Sequence, residues 1–437
     1  EKCQALLRVI SFTSANEDLL REAFYREAFG DDKYENIIYI ADFFNKTFVE
    51  SCAQKPEKAD LYSRPAAHVL PIEPKSFKNA LHSIIYEEIE SGEAPVIYSN
   101  YPYNLKHVDN RIYNSLRACG KPVVLHHLVY FERKSHSKNN LRNILQSLRY
   151  IQLRQNVHYI YTDSVSAAFT GTLYPYFVIT ATGALMFNAA GTRGLLIHSE
   201  PAVLAHLCDQ ASGLMMKCAP LAAFPANLLE AKAINEPMVA TAVTSYLVHA
   251  PCWTQFADNE LLDKAIHPTF PLRESIIQIA DRYYADILRG NPLHFFTLSG
   301  IIDFIHNGRF YDAPELLVPP FSPALRVYVL EKMIKYLKEP RDYFFLLDES
   351  KITCPESLAV TFCEGGVMIL SKAIIDDDAF VGQCVVKLED KSIAADFRNC
   401  QDYIVRNGFV HTKDYALRSL SDLLVLCKEL AAESESE

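Results

Sequence analysis

Glycine is scarce, at 15 of 437 residues, about half the usual share of roughly 7%. Loops that cradle phosphates need clustered glycines, and no G-x-G-x-x-G, Walker loop, G-x-S-x-G or H-E-x-x-H occurs. Tryptophan occurs once, against 24 tyrosines and 25 phenylalanines. None of the 11 cysteines falls in a C-x-x-C pair. Several, such as Cys208, Cys384 and Cys400, stand in apolar runs. That pattern points to reduced, buried thiols in a cytoplasmic protein rather than to zinc or disulfides. No run of 18 or more apolar residues exists, so no membrane-spanning helix and no membrane partner are expected. No secretory signal is read. The sequence begins with Glu1 rather than Met, so a native start upstream of Glu1 is an expectation.

Positive charge is also short. The 43 Lys and Arg against 53 Asp and Glu leave a formal charge of −10, which argues against a broad nucleic-acid-binding face. The deficit extends to residues 1–60, whose apolar stripes (Ala5, Leu6, Val9, Ile10; then Leu19, Leu20, Ala23, Phe24; then Ile37, Ile38, Ile40, Ala41, Phe44, Phe48) read as helices. A DNA-reading helix must neutralise phosphates, and an acidic helical unit suits packing or protein contacts better.

What is present reads as a mixed α/β (α+β) chain. Residues 1–60 form a helical N-terminal region, closed by a proline-bearing connector at Pro56–Pro74. Residues 75–220 form an α/β domain, 258–340 a helical region, and 343–430 an α+β C-terminal domain. The spacing predicts a helix over Ser76–Ser91 with Ser76 as its N-cap. Strands over 94–99, 122–128 and 157–161 then alternate with helices over 109–118 and 139–155. Short apolar strands separated by helices indicate βαβ units and a parallel sheet.

A strand–turn–strand–strand–helix unit covers Tyr174–Met216, and a second follows over about Leu358–Val405. Aligning Gly183 with Gly365 sets Leu185-Met186-Phe187 against Val367-Met368-Ile369. Aligning Glu200 with Glu389 sets Leu196-Ile197 against Val385-Val386. The length difference falls in the turn carrying Asp376-Asp377-Asp378. Ser199 is the expected cap of the first unit's helix.

The run Tyr174-Pro175-Tyr176-Phe177-Val178-Ile179-Thr180 with Gly194-Leu195-Leu196-Ile197-His198-Ser199-Glu200 resembles a bacterial family. Its members look like the C-terminal regulatory regions of Cro-type helix-turn-helix repressors of anaerobic Gram-positive bacteria. Pro251-Cys252, Pro271–Glu274, Phe295–Gly300 with Gly308-Arg309, Pro320–Pro323 and Asp396-Phe397 extend the likeness over most of residues 170–430. The resemblance implies a ligand-sensing or protein-binding role in transcription regulation. The chain departs from it in lacking a recognisable DNA-binding domain in front, so DNA is a partner only if a helix-turn-helix lies upstream of Glu1.

Catalytic patterns are incomplete. His136-Ser137-Lys138 resembles half of the phospholipase D His-x-Lys motif, but Asn143 stands where its Asp belongs. His411-Thr412-Lys413 meets Arg418 at that place. A degenerate phosphodiesterase or other hydrolase is the alternative, and it predicts His136 and His411 facing each other across one cleft. His107, His126, His127 and His136 are the densest histidine group, but the adjacent pair on a strand faces opposite ways. No catalytic residue, metal site or cofactor is expected. The aromatic repeats Tyr101-Pro102-Tyr103 and Tyr174-Pro175-Tyr176, joined by His126, are the candidate ligand-binding residues. The expected partner is a small molecule or a protein, with a homodimer left open.

Overall fold

The computed structural model describes residues 14–44, 68–91, 94–119, 121–163, 173–225, 230, 234, 243–251, 258–270, 273–275, 277–278, 281, 292–310, 318–340, 343–364, 366–372 and 383–436. The first predicted helix, residues 56–67 of the connector, the Asp376–Asp378 turn and Gly365 lie outside the described residues; the end of the connector, read as a boundary, instead holds a strand at Val69–Ile72.

The elements in chain order are α1 (Ser14–Phe29), α2 (Asp31–Asp42), β1 (Val69–Ile72), α3 (Pro74–Ser91), β2 (Val96–Ser99), α4 (Lys106–Ala118), β3 (Val124–Glu132) and α5 (Lys138–Gln152). Then come β4 (Asn156–Thr162), β5 (Tyr176–Ile179), β6 (Gly183–Phe187), β7 (Gly194–His198), α6 (Pro201–Met215), β8 (Ala219–Pro220) and β9 (Ala222–Ala223). The last part holds β10 (Val243–Val248), α7 (Asn259–Ala265), β11 (Leu293–Phe296), α8 (Leu298–Asn307), α9 (Pro323–Lys338) and β12 (Phe344–Leu346). It closes with β13 (Leu358–Cys363), β14 (Gly366–Lys372), β15 (Gln383–Leu388), α10 (Lys391–Arg406) and α11 (Lys413–Ser436). The chain is mixed α+β, as its periodicities predict.

The strands form an eight-stranded sheet in the order β1-β7-β6-β5-β2-β3-β4-β8 and a seven-stranded sheet in the order β12-β11-β10-β13-β14-β15-β9. Read from β9, the second sheet is the first with each strand number raised by eight, short of the extra edge strand β8. In each, a parallel trio (β2, β3, β4; β10, β11, β12) meets an antiparallel trio (β5, β6, β7; β13, β14, β15) along the β2–β5 or β10–β13 seam. The aligned units of the sequence are β5–β7 with α6 and β13–β15 with α10. The stretch read as helical over 258–340 also supplies strand β11, whose four residues are too short to show a period.

Alternation assigns the faces. In the second sheet Leu247, Phe295, Ile369 and Val386 pack on one side, and Tyr246, Phe296, Met368 and Val385 on the other. The first side shares a core with α2–α5, α10 and the inner face of the first sheet. The second is covered by α7, α8, α9 and α11. The first sheet's outer face carries α6 through Ile179, Ala184, Ile197 and Leu204. The result is five layers, helix–sheet–helix–sheet–helix. The Cys384 thiol on β15 lies 3.3 Å from the Ile151 carbonyl of α5, inside the central layer.

Caps decide the helix ends. Thr297, Ser322, Asp258 and Asp390 each accept a backbone N–H in the first turn of α8, α9, α7 and α10. Two expected caps are corrected. α3 begins at Pro74, whose ring pre-sets a helical φ, so Ser76 lies inside the helix. The N-cap of α6 is Glu200, because Ser199 sits at φ 56 in the left-handed region. Of the cysteines in described residues, Cys354, Cys363, Cys384, Cys400 and Cys427 are buried.

Candidate ligand-binding site

β2 and β3 run parallel, so their carboxyl ends open on the same side of the sheet. β5 joins β2 from the other side and starts there with Tyr176. Crevices beyond strand carboxyl ends are where open α/β sheets hold ligands. A cavity of about 120 Å³ lies at this point. Asn100–Asn104 form one wall, Tyr130 and Tyr176 another, and Asn139, Arg142 and Asn143 of α5 a third. Positions 139, 142 and 143 stand at i, i+3 and i+4, one face of the first turns of α5.

Asn100 sets the mouth. Its Nδ2 donates to the Pro175 carbonyl at 3.1 Å, and its Oδ1 accepts from Phe177 N at 2.7 Å. One side-chain amide thus pairs with both sides of Tyr176, as a strand neighbour would. Tyr101 and Tyr103 form the floor and are buried. The Tyr101 hydroxyl is 2.8 Å from that of Tyr150, which donates to Asp109 Oδ1 at 2.6 Å. The Tyr103 hydroxyl is 3.0 Å from Ser147 Oγ. Arg149 donates to Asp109 and stacks 4.7 Å over the Tyr113 ring. Burial pushes the phenols of Tyr101, Tyr103, Tyr130 and Tyr176 above their ordinary range. They stay protonated and can donate to a ligand.

The structure therefore brings Tyr101, Tyr103 and Tyr176 together, and leaves two predicted residues elsewhere. Tyr174 is exposed at the approach to β5 and does not line the cavity. His126 is on the opposite face of β3 from His127, stacked between Tyr98 and His158 at 5.3 and 5.4 Å. Its Nδ1 is 3.1 Å from His158 Nε2. Burial lowers the pKa of both rings, that of His158 to about 4. His127 packs behind the floor, 4.5 Å from the Tyr101 ring, with Nδ1 2.8 Å from Ser99 Oγ. Asn100, Tyr130, Asn139, Arg142 and Asn143 were missed by sequence reading. The i, i+3, i+4 polar positions at the start of α5 were the available signal.

A neighbouring cavity of about 160 Å³ holds His136, Ser137 and Lys138. Its charges are already matched. Lys138 pairs with Glu35 at 2.7 Å, Lys134 with Asp32 at 3.6 Å, and Ser137 donates to Glu132 at 2.7 Å. His136 turns instead to Asp396 of α10. His411 lines neither cavity and stacks on Tyr415 at 4.2 Å. The alternative's expected facing of His136 and His411 across one cleft is not seen in these cavities. Among the described residues no group of three or more His, Cys, Asp or Glu could hold a metal ion. No described helix is long and apolar enough to cross a membrane.

No family model matches the chain, and no curated protein does. Solved structures give distant likenesses. Phosphatidylserine synthase from Haemophilus influenzae Rd KW20 is 11% identical, with a TM-score of 0.27 over 90% of this chain and 98% of that one. TrmBL2, an archaeal chromatin protein, is 11% identical with a TM-score of 0.24. That match covers 36% of this chain and spans 55% of the chromatin protein. At such scores neither likeness defines the fold or the activity here.

Proposed function

We propose that the chain is a cytoplasmic, non-enzymatic sensor, the ligand-binding part of a transcriptional regulator, and that its ligand occupies the cleft at the carboxyl ends of β2 and β3. The observation that carries this reading is the chemistry of the walls. Among the described residues they offer phenols, carboxamides and a guanidinium, and no carboxylate, imidazole, thiol or primary amine. General acid–base and nucleophilic catalysis at neutral pH draw on those missing groups. The phenols are protonated more firmly than usual, which suits donation to a ligand rather than proton abstraction.

The cleft has a route outward. α5 carries Asn139, Arg142 and Asn143 on the cleft. The segment just before it is tied to α2 and α10 through His136, Asn36 and Asp396. A ligand that shifts the first turns of α5 would load this junction and so the N-terminal helices.

Differential scanning fluorimetry and calorimetry of the whole chain against a library of small polar metabolites test the reading. The expected result is a ligand whose binding is lost in Tyr176→Ala. Binding indifferent to that substitution would overturn it. So would hydrolysis of bis(p-nitrophenyl) phosphate that disappears in His136→Ala.

A further inference from the structure

We propose that the ligand of this cleft is a small oxyanion, carboxylate or phosphate in kind, and that Arg142 is the residue that selects it. This rests on the cleft being the binding site, and it adds the sign of the charge.

Arg142 is half-buried in the cavity wall. Among the described residues it makes no ion pair and no hydrogen bond. The other two cations of α5 each have a carboxylate, Arg149 with Asp109 and Lys138 with Glu35. Among the described residues the cavity wall contains no acidic one. Glu132 lines the neighbouring cavity instead, where Ser137 Oγ and Asn139 Nδ2 hold its two carboxylate oxygens at 2.7 and 3.1 Å. A guanidinium screened from full hydration and left without a counter-charge favours an anion, and its planar fork matches two oxygens at once.

The surroundings add to this. Arg142 stands in the second turn of α5, near the positive end of the helix dipole. The Tyr130 and Tyr176 hydroxyls are protonated and can donate to an oxygen. The Asn143 amide beside Arg142 already donates to the Tyr130 carbonyl at 3.0 Å and has one N–H left. The volume, about 120 Å³, is below the roughly 150 Å³ of an engineered cavity that takes up benzene. A single carboxylate or phosphate with a short tail fits, and a nucleotide would have to extend into solvent.

The test is titration calorimetry of the intact chain with inorganic phosphate, sodium acetate and, as a neutral probe, glycerol, each in 50 and 500 mM sodium chloride. At least one anion is expected to bind, more than tenfold more weakly in Arg142→Gln and at the higher salt. Arg142→Lys should keep part of the affinity, and circular dichroism should confirm that both variants fold. Glycerol binding that matches the anions, unchanged in Arg142→Gln, overturns the charge assignment and leaves the cleft reading intact. If no probe binds the wild-type chain, the charge assignment fails. If the metabolite library also yields no ligand sensitive to Tyr176→Ala, the cleft reading fails with it.

Discussion

Nδ1 of His136 stands 2.6 Å from Oδ1 of Asp396, 260 positions away in the sequence. Asn36 completes the junction, donating from Nδ2 to Asp396 Oδ2 at 2.9 Å and to the His136 carbonyl at 3.1 Å. His136 holds φ at 57, a region most side chains avoid. Three distant segments are thereby fixed at the point where α5 begins.

Asp396→Ala should therefore weaken more than α10. Asp396 is buried, and its loss removes one of the two acceptors of the Asn36 amide and the partner of the His136 ring. A cost of about 2–4 kcal/mol is expected in urea denaturation. Hydrogen exchange should rise across Ser14–Phe44 in the same variant. Unchanged protection there would show that the N-terminal helices are held by other contacts.

Arg149 and Asp109 form a buried pair behind the cleft floor, each 3% exposed at the side chain. Arg149→Met leaves a carboxylate in the core and should cost about 3–5 kcal/mol. The double variant Arg149→Met with Asp109→Leu should recover much of that loss, because two desolvated charges leave together. Chemical denaturation of the single and double variants measures the difference.

Buried histidines set an acid limit. Burial lowers His127 and His294 to about 3, while the unfolded chain protonates near 6.5. Between those values the unfolded state binds protons that the folded state does not. Stability should thus fall as pH drops below about 6.5, by about 1.4 kcal/mol per pH unit for each ring. His158 adds in the same direction, with less effect because it is partly exposed. His294 lies between the rings of Tyr246 and Phe344 at 5.1 and 4.8 Å, and among the described residues neither of its nitrogens has a hydrogen-bond partner. His294→Phe should raise stability at pH 5 more than at pH 7.5. Equal gains at both values would contradict the assignment.

Two glycines differ in what surrounds them. A Cβ on Gly194 would meet the Met186 carbonyl at 2.3 Å, across the β6–β7 pair. Gly194→Ala should lower the melting temperature by several degrees. Gly213, inside α6, has nothing within 4 Å of an added Cβ. Gly213→Ala should stabilise by about 0.5–1 kcal/mol. Thermal denaturation of both variants should show opposite signs.

Much of the fold was legible because its signals are local. The stripe Leu141, Ile144, Leu145, Leu148 and Ile151 gives α5 to within a turn, since 3.6-residue periodicity needs no partner. The strands of the βαβ units and both strand–turn–strand–helix units were found the same way. β1, β10 and β11 were not, the first standing in a proline-bearing connector, the second in a stretch given no assignment and the third being short and set among helices. The paired Tyr-Pro-Tyr segments were legible as aromatic sites, yet only Tyr101, Tyr103 and Tyr176 reach the cleft. Tyr174 precedes β5 by two residues and remains on the outside.

The sequence by itself determined the periodicities, the parallel βαβ order, the low positive charge and the absence of familiar catalytic motifs. These are properties of neighbouring residues, and backbone geometry translates them directly into helices and strands. Only the tertiary structure decided that Asn100 brackets Tyr176, that Arg142 faces the cleft without an acid beside it, and that His136 pairs with Asp396 rather than His411. Those relationships join residues from 75 to 260 positions apart or depend on which acids stay away, and nothing in a linear chain encodes either until two sheets close around one helical layer.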